Sequence, residues 1–282
     1  MRKTTTAEPV SAASHTIRPI IGNGEVALAA IDAASTCDFT GDKSATIAVL
    51  AQLNAQLRGL QTLLYAEGKH KVLVVLQAMD TGGKDGAIRN LLSGLNPQGV
   101  RVASFKAPTA PELAHDYLWR VHQQVPAKGE LVVFNRSHYE DVLITRVHDW
   151  IDDKAAKRRF RQINDFEAML VEEGTIILKF FLHISKDEQK QRLQDRLDDP
   201  AKRWKFNVGD LGERQHWDDY QRVYQDAINA TSSPHAPWYI VPANRKWIRD
   251  VYVGAVLVQT LTALKMAYPV ASVGLENTKI EA

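Results

Sequence analysis

Three stretches of the chain hold residue types at spacings that do chemistry. The first is Asp80-Thr81-Gly82-Gly83-Lys84-Asp85-Gly86. Glycines let the backbone approach an anion closely, the N–H groups and dipole of a following helix point at it, and Lys84 adds a mobile positive charge. The stretch therefore reads as a phosphate cradle. It departs from the common G-x-x-x-x-G-K-[ST] form at two points, with Ala78 at the first glycine and Asp85 at the hydroxyl residue that normally holds magnesium. A carboxylate at Asp80 or Asp85 then becomes the candidate ligand for Mg²⁺, which prefers oxygen donors and keeps part of its water shell. Asp85 also fits the plainer role of an acid at a helix N-terminus.

The second stretch is Phe134-Asn135-Arg136-Ser137-His138-Tyr139-Glu140-Asp141. Asn135 stands where a Walker B strand usually ends in Asp. Either its amide contacts ligand or water, or Glu140 and Asp141 supply the missing negative charge. His138 invites an acid–base reading, yet phosphoryl transfer needs little proton abstraction and a packed, satisfied histidine is the simpler role. The third stretch is the charged break 198–211, DDPAKRWKFNVGDL, with Lys202, Arg203 and Lys205, preceded by Arg192 and Arg196. Such a run is commonly a solvated face. Beside a phosphate cradle it reads as a lid that carries cations over the transferring phosphate, with Gly209 and Gly212 as hinges.

These residues need a frame. Apolar runs at Val72 to Leu76, Val100 to Phe105, Leu131 to Phe134, Ile176 to Ile184 and Trp238 to Val241 predict buried strands. Stretches of helical period lie between and after them, over about 85–95, 110–124, 155–173, 185–197, 212–230 and 246–267. An earlier amphipathic helix from Ser44 to near Gly68 carries Ile47, Leu50, Leu53, Leu57, Leu60 and Leu64 on its core stripe. Strand and helix in alternation predict an α/β fold, a parallel sheet of about five strands with helices on both faces. The run KVLVVLQ enters the glycine turn and a helix leaves it, which is the setting a phosphate cradle requires. Residues 1–43 have weak periodicity and read as a loose N-terminal arm, followed by one domain over 44–270 and a tail over 271–282.

Bulk properties narrow the classes. A chain of 282 residues with 45% hydrophobic and 24% charged residues can bury one sizeable core. The single cysteine, Cys37, excludes an internal disulfide, and the expected setting is the reducing cytoplasm. Neither a secretory signal nor a membrane span is expected. A net charge of +2 announces no nucleic-acid partner, so the anion site rests on local clustering of Lys and Arg.

With these stretches assembled, the chain resembles the polyphosphate kinase 2 family from about residue 70 to Pro269. LQAMDTGGKDGAIR is similar to its phosphate loop, FNRSHYEDVL to its Walker B region and RLDDPAKRWKFNVGDL to its lid. LNPQGVRVASFKAPT and HWDDYQRVYQDAINATSSPHAPWYIVPANRKW add two further blocks. The resemblance implies a P-loop kinase fold of thymidylate-kinase type with a helical lid, inorganic polyphosphate as donor, nucleotides as acceptors and Mg²⁺ as cofactor. By position it implies catalytic roles for Asp80, Lys84, Arg136 and Arg146, with Asp80 on the metal. Phosphate binding falls on Thr81, Gly82, Gly83, Lys84, Asp85, Gly86, Lys202 and Arg203, and contact with the acceptor nucleotide on Asn135, Glu140 and Asp141. The FNRSHYEDVL form resembles the subgroup that accepts AMP as well as ADP; adenine nucleotides are the expected acceptors, with guanine nucleotides left open. A homo-oligomer, dimer or tetramer, is expected.

Two other readings stay open on the residues alone. An ATP-dependent nucleoside monophosphate kinase would share loop, lid and magnesium. A nucleotide- or phosphate-binding regulator without turnover would need no acid pair such as Glu140 and Asp141 beside its cradle.

Overall fold

The computed structural model describes residues 10–12, 15–22, 25–271, 275 and 278–280, so the start of the expected arm and most of the expected tail lie outside the described residues. Eight strands are present among them: β1 (Val10–Ala12), β2 (His15–Ile17), β3 (Ile20–Ile21), β4 (Lys71–Ala78), β5 (Val100–Ser104), β6 (Leu131–Asn135), β7 (Thr175–His183) and β8 (Trp238–Pro242). The helices are α1 (Ala45–Glu67), α2 (Lys84–Leu91), α3 (Ala110–Leu113), α4 (Trp119–His122), α5 (Ile144–Val147), α6 (Asp153–Glu172), α7 (Lys186–Asp198), α8 (Gly209–Gln215), α9 (Trp217–Thr231) and α10 (Lys246–Ala263).

All five expected strands form, and they lie parallel in the order β8-β7-β4-β6-β5. Every residue of β4 from Val72 to Ala78 is buried, which only helices on both faces of a sheet can achieve. A sixth strand extends the sheet: β3 pairs antiparallel with β8, Ile20 opposite Ile240. It comes from the arm. Ile17, Val26, Leu28, Cys37 and Phe39 join the core from the same stretch, so the described part of the arm packs on the body. Its strands are two or three residues long, too short to show a period.

Helix boundaries differ from expectation where a local cap competes with the period. The stretch 110–124 is two short helices, because Thr109 and Glu112 form a capping box and Asp116 then accepts from the N–H groups of Leu118 and Trp119 at 3.0 and 3.1 Å. The stretch 212–230 breaks at His216 into α8 and α9, and α8 begins at Gly209. Gly209 and Gly212 therefore lie within a helix. On α1 the core face is Thr46, Val49, Leu53, Leu57, Gln61 and Leu64, while Ile47 is 76% exposed. Gly68 closes this helix at φ 63°, a conformation that favours glycine.

A polar knot sits inside the apolar core. Lys179, the one Lys, Arg, Asp or Glu of β7, is fully buried and pairs with Glu167 of α6. Its ammonium also donates to Tyr139 Oη at 3.0 Å and to the Thr231 carbonyl at 2.8 Å. Tyr139 Oη donates to Glu167 Oε1 at 2.8 Å, Trp238 Nε1 donates to Thr231 Oγ1 at 2.9 Å, and His138 Nε2 lies 3.2 Å from Glu167 Oε1. The knot thus ties the turn after β6 to α6, β7, α9 and β8. Removing one member of a buried pair strands the other charge, at about 3–5 kcal/mol, whereas replacing both with apolar or neutral groups costs less. Lys179→Met is expected to lower unfolding free energy by about that amount in urea titrations, and Lys179→Met with Glu167→Gln to recover part of the loss. A single variant as stable as the parent protein would show that the pair does not hold the core.

Candidate functional site

The sheet order decides which segments meet. Since β4 runs between β6 and β7, the turn that leaves β4 is flanked by the turn that leaves β6 and by α7, which follows β7. Here open parallel sheets place their ligands, at the carboxyl ends of the strands. A cleft of about 710 Å³ opens at this point. Its wall holds Asp80 to Gly86, Asn135 and Arg136 as expected, together with Lys202 and Trp204 of the charged break.

The turn is bent by its backbone. Thr81 is at φ 60° and Gly83 at φ 100°, and Gly82 N–H closes on the Met79 carbonyl at 3.0 Å. A Cβ on Gly82 would collide with the Ala78 side chain and come within 2.8 Å of the Met79 carbonyl. Glycine is required there. The carbonyls of the turn are occupied by side chains: Ala78 O accepts from Lys84 Nζ at 3.0 Å and from Tyr224 Oη at 3.0 Å, Asp80 O from Gln189 at 3.1 Å, and Thr81 O from Arg192 at 3.0 Å. The opening N–H groups of α2, which have no acceptor within the helix, are left to an anion.

Charge is balanced closely around the turn. Arg136 Nη2 lies 3.4 Å from Asp80 Oδ1, and its own backbone is left-handed at φ 64°. Burial first, and then the Arg136 guanidinium, holds the Lys84 ammonium below its ordinary value against the pull of Asp80, Glu140 and Asp85. Burial raises the Glu140 carboxyl although Arg136 and Lys84 oppose it. For Arg136 burial works downward, and Glu140 and Asp80 more than reverse it. A phosphate arriving beside Lys84 and Arg136 favours the charged form of both.

The expected site residues divide by position. Asp80, Thr81, Gly82, Gly83, Lys84, Asp85, Gly86, Asn135, Arg136 and Lys202 share the cleft, and Asn135 Nδ2 donates to Asp85 Oδ1 at 3.0 Å. Glu140 lines an adjoining cavity of about 240 Å³ with Asp80, Arg136, Tyr220 and Tyr224. Three residues line neither cavity. Arg146 is buried between Asp153 at 2.9 Å and Asp226 at 3.0 Å, Asp141 faces Arg159 at 3.9 Å, and Arg203 Nε donates to the Leu197 carbonyl at 2.7 Å. His138 belongs to the core knot, with 1% of its surface exposed.

The cleft wall also contains Lys106, Arg192, Arg196, Lys205 and Lys246. Lys106 and Lys246 give no signal in the sequence: Lys106 stands just past β5 outside any pattern of spacing, and Lys246 opens α10, where the helical period says nothing about a ligand. Gln189, Tyr224 and Arg249 reach the turn from far along the chain. Their signal is weak: Arg249-Asp250 interrupts an apolar run, and Gln189 sits on a helix of mostly charged residues.

Among the described residues no group of three or more His, Cys, Asp or Glu is arranged to hold a metal. Within the turn itself the carboxylates are Asp80 and Asp85. This sparse donor set fits Mg²⁺ held by one or two carboxylates, water and substrate phosphates rather than a protein cage.

A parallel sheet that delivers a glycine turn, a lysine and a helix start to a cation-lined cleft defines a phosphoryl-transfer enzyme of the P-loop class. Comparison with known proteins narrows the class. The family model described as Polyphosphate kinase 2 matches residues 40–269, so the match takes in α1 as well as the stretch from residue 70. The chain is 59% identical over 259 residues to the AMP/ADP-polyphosphate phosphotransferase of Meiothermus ruber, covering 92% of this chain and 97% of that protein. It is 49% identical over 226 residues to the ADP-polyphosphate phosphotransferase of Rhodopseudomonas palustris, covering 76% and 78%. The crystal structure of polyphosphate kinase 2 from Arthrobacter aurescens TC1 superposes with a TM-score of 0.89 at 47% identity, over 90% of this chain and 92% of that one. The chain belongs to the polyphosphate kinase 2 family.

Position in the cleft should separate two cations. Lys84→Ala is expected to lower kcat by roughly 10²-fold, as for loss of one preorganised donor to developing charge, while Arg203→Ala stays within about 3-fold. Steady-state rates of the two folded proteins decide it, and equal losses would show that Arg203 moves into the cleft during turnover.

Proposed function

We propose that this enzyme transfers the terminal phosphate of inorganic polyphosphate to AMP and to ADP. The observation that carries the reading is the charge of the main cleft. Eight Lys and Arg side chains line it (Lys84, Lys106, Arg136, Arg192, Arg196, Lys202, Lys205 and Lys246) against the four acids Asp80, Asp85, Asp195 and Asp210. A wall of this kind suits a donor that is an anion along its whole length. The names of the relatives from Meiothermus ruber and Rhodopseudomonas palustris support the same donor and acceptors.

The reaction we infer is in-line attack by an acceptor phosphate oxygen on the terminal phosphorus of the chain, with the shortened polyphosphate as leaving group. The attacking oxygen already lacks a proton at neutral pH, so positioning and charge neutralisation supply the catalysis. Lys84 and Arg136 hold the transferring phosphate, and the turn from Thr81 to Gly86 offers it backbone donors, apart from the Gly82 N–H that closes on Met79. Lys202, with Lys205, approaches from the segment 198–211, which we read as the lid. Asn135 faces the acceptor phosphate, and Glu140 with Tyr220 and Tyr224 faces the rest of the acceptor in the smaller cavity. Arg146 and Asp141 support the site from outside both cavities. Asp80, and Asp85 beside it, would hold Mg²⁺, which when bound neutralises charge on the phosphate oxygens. We also place the enzyme in the cytoplasm as a homo-oligomer. No helix among the described residues is long and apolar enough to cross a membrane.

The test is a donor swap: the enzyme with AMP and magnesium is given polyphosphate alone or ATP alone. Product ADP, and then ATP, is expected with polyphosphate; turnover with ATP only would make this an ordinary nucleotide kinase. The acceptor is tested at Asn135. A carboxylate there would repel both the incoming α-phosphate and Asp85, 3.0 Å from the amide nitrogen. Asn135→Asp is expected to depress kcat/KM for AMP more than for ADP, and an unchanged ratio would remove Asn135 from acceptor choice.

A further inference from the structure

The first turn of α10 carries an arginine that touches the phosphate turn without entering the cleft. Arg249 is 3% exposed, and its Nη1 donates to the Gly83 carbonyl at 3.2 Å. Its Nε and Nη2 lie on Asp250 Oδ1 at 2.7 and 2.6 Å, and Asp250 Oδ2 accepts from Asn90 Nδ2 of α2 at 2.6 Å. One guanidinium is therefore braced by its neighbour and connects α10 to the start of α2, while Asp250 connects α10 to a later turn of α2. The glycines record the same contact. A Cβ on Gly86 would approach Arg249 Nη2 to 3.3 Å, and one on Gly83 would collide with Nη1.

We propose that Arg249 is a positioning residue for phosphoryl transfer, acting through the Gly83 carbonyl. The Gly83 carbonyl accepts the first helical bond of α2, from Ala87 N–H at 3.0 Å, and Arg249 is its second donor, from the side of α10. A peptide unit is planar, so a carbonyl pinned by two donors also fixes the direction of the N–H of Lys84, on the same unit, into the anion site. The role is geometric. Asp250 offsets the charge of Arg249, and the side chain's hydrogen bonds go to Asp250 and to the turn's backbone, with the Arg192 guanidinium as its cationic neighbour across Gly83. Lysine at this position keeps the charge and loses the planar fork that reaches Gly83 O and Asp250 together. The inference rests on phosphate binding at this turn, as in the function proposed above.

The test compares Arg249→Lys, Arg249→Ala, Gly86→Ala and the double variant Gly86→Ala with Arg249→Ala. Rates are measured with polyphosphate and AMP, binding is measured by calorimetric titration with inorganic tripolyphosphate, and folding is followed by circular dichroism. A displacement of about 1 Å at a reacting group lowers rates by roughly 10²-fold, so both Arg249 variants are expected to lose roughly 10- to 100-fold in kcat. KM for AMP should stay within about 3-fold, because the acceptor's own contacts are intact. Tripolyphosphate should bind more weakly to both. Gly86→Ala should do less harm when Arg249 is already alanine, since the group it crowds is gone. Parental kcat and tripolyphosphate affinity in a folded Arg249 variant, or fully additive losses in the double variant, would overturn the proposal. So would failure of both Arg249 variants to fold, which would make the residue one of the core. If the parent protein makes no product from polyphosphate, the function proposed above fails alone, and the tripolyphosphate titrations still decide the role of Arg249.

Discussion

An amide can donate to a phosphate only if the carbonyl of the same planar unit faces elsewhere, and the rest of this fold serves that constraint. At the end of β4 the chain must turn sharply, expose N–H groups and hide carbonyls in the space of five residues. The carbonyls are met by side chains of α7, α9 and α10, namely Gln189, Arg192, Tyr224 and Arg249. Those helices can reach the turn because β7 is the neighbour of β4 and β8 the neighbour of β7. Sheet order is thus a condition of the site. A different order of the same strands would keep the glycine turn and remove the donors that shape it.

The turn after β6 faces the opposite problem. It brings Asn135 and Arg136 to the cleft and Glu140 to the smaller cavity beside it, yet it contains no glycine, and Arg136 takes a left-handed conformation that costs about 1–2 kcal/mol for a residue with a Cβ. The strain is held by the next three residues. Ser137, His138 and Tyr139 are buried, and the last two bond into the Lys179–Glu167 knot from below. Buried charge is normally a burden on stability. Here it fixes the strand end from which a cleft arginine projects, so core polarity and site geometry are one arrangement.

The legible part of this protein is local. The change of period from strand to helix around three glycines locates the phosphate turn, and the five long apolar runs locate the parallel sheet. On α1 the pattern leaves the start of the core stripe ambiguous, since Ile47 and Val49 fit a helical period equally well and only packing separates them. Arg146 and Arg203 are placed by position in a motif, and a motif does not say which acid or carbonyl a guanidinium will meet first. Arg249 and Tyr224 are out of reach because their contacts join positions more than 140 residues apart. Lys179 carries a sign of its own: one lysine in TIILKFFLH must find a carboxylate or lose its charge, although the sequence does not say which carboxylate.

The walls of the main cleft also bear on which donor it suits. A site for a nucleoside triphosphate holds the base in an apolar, largely aromatic pocket and the phosphates on a few donors. This cleft has two aromatic residues, Phe105 and Trp204. Phe105 is buried edge-on against Phe134, and Trp204 is 78% exposed with Lys205 over its ring at 4.9 Å. Neither pair forms a slot for a base. Cations are meanwhile spread over the turn, the ends of β5 and β6, α7, the segment 198–211 and the start of α10, so that successive phosphates of one chain can each meet a positive partner. Linear polyanions gain from such a spread, since each cation engaged releases counterions. A base would gain nothing from it. The charge pattern therefore favours a donor that is phosphate from end to end, and leaves recognition of a nucleoside to the smaller cavity beyond Asp80 and Arg136.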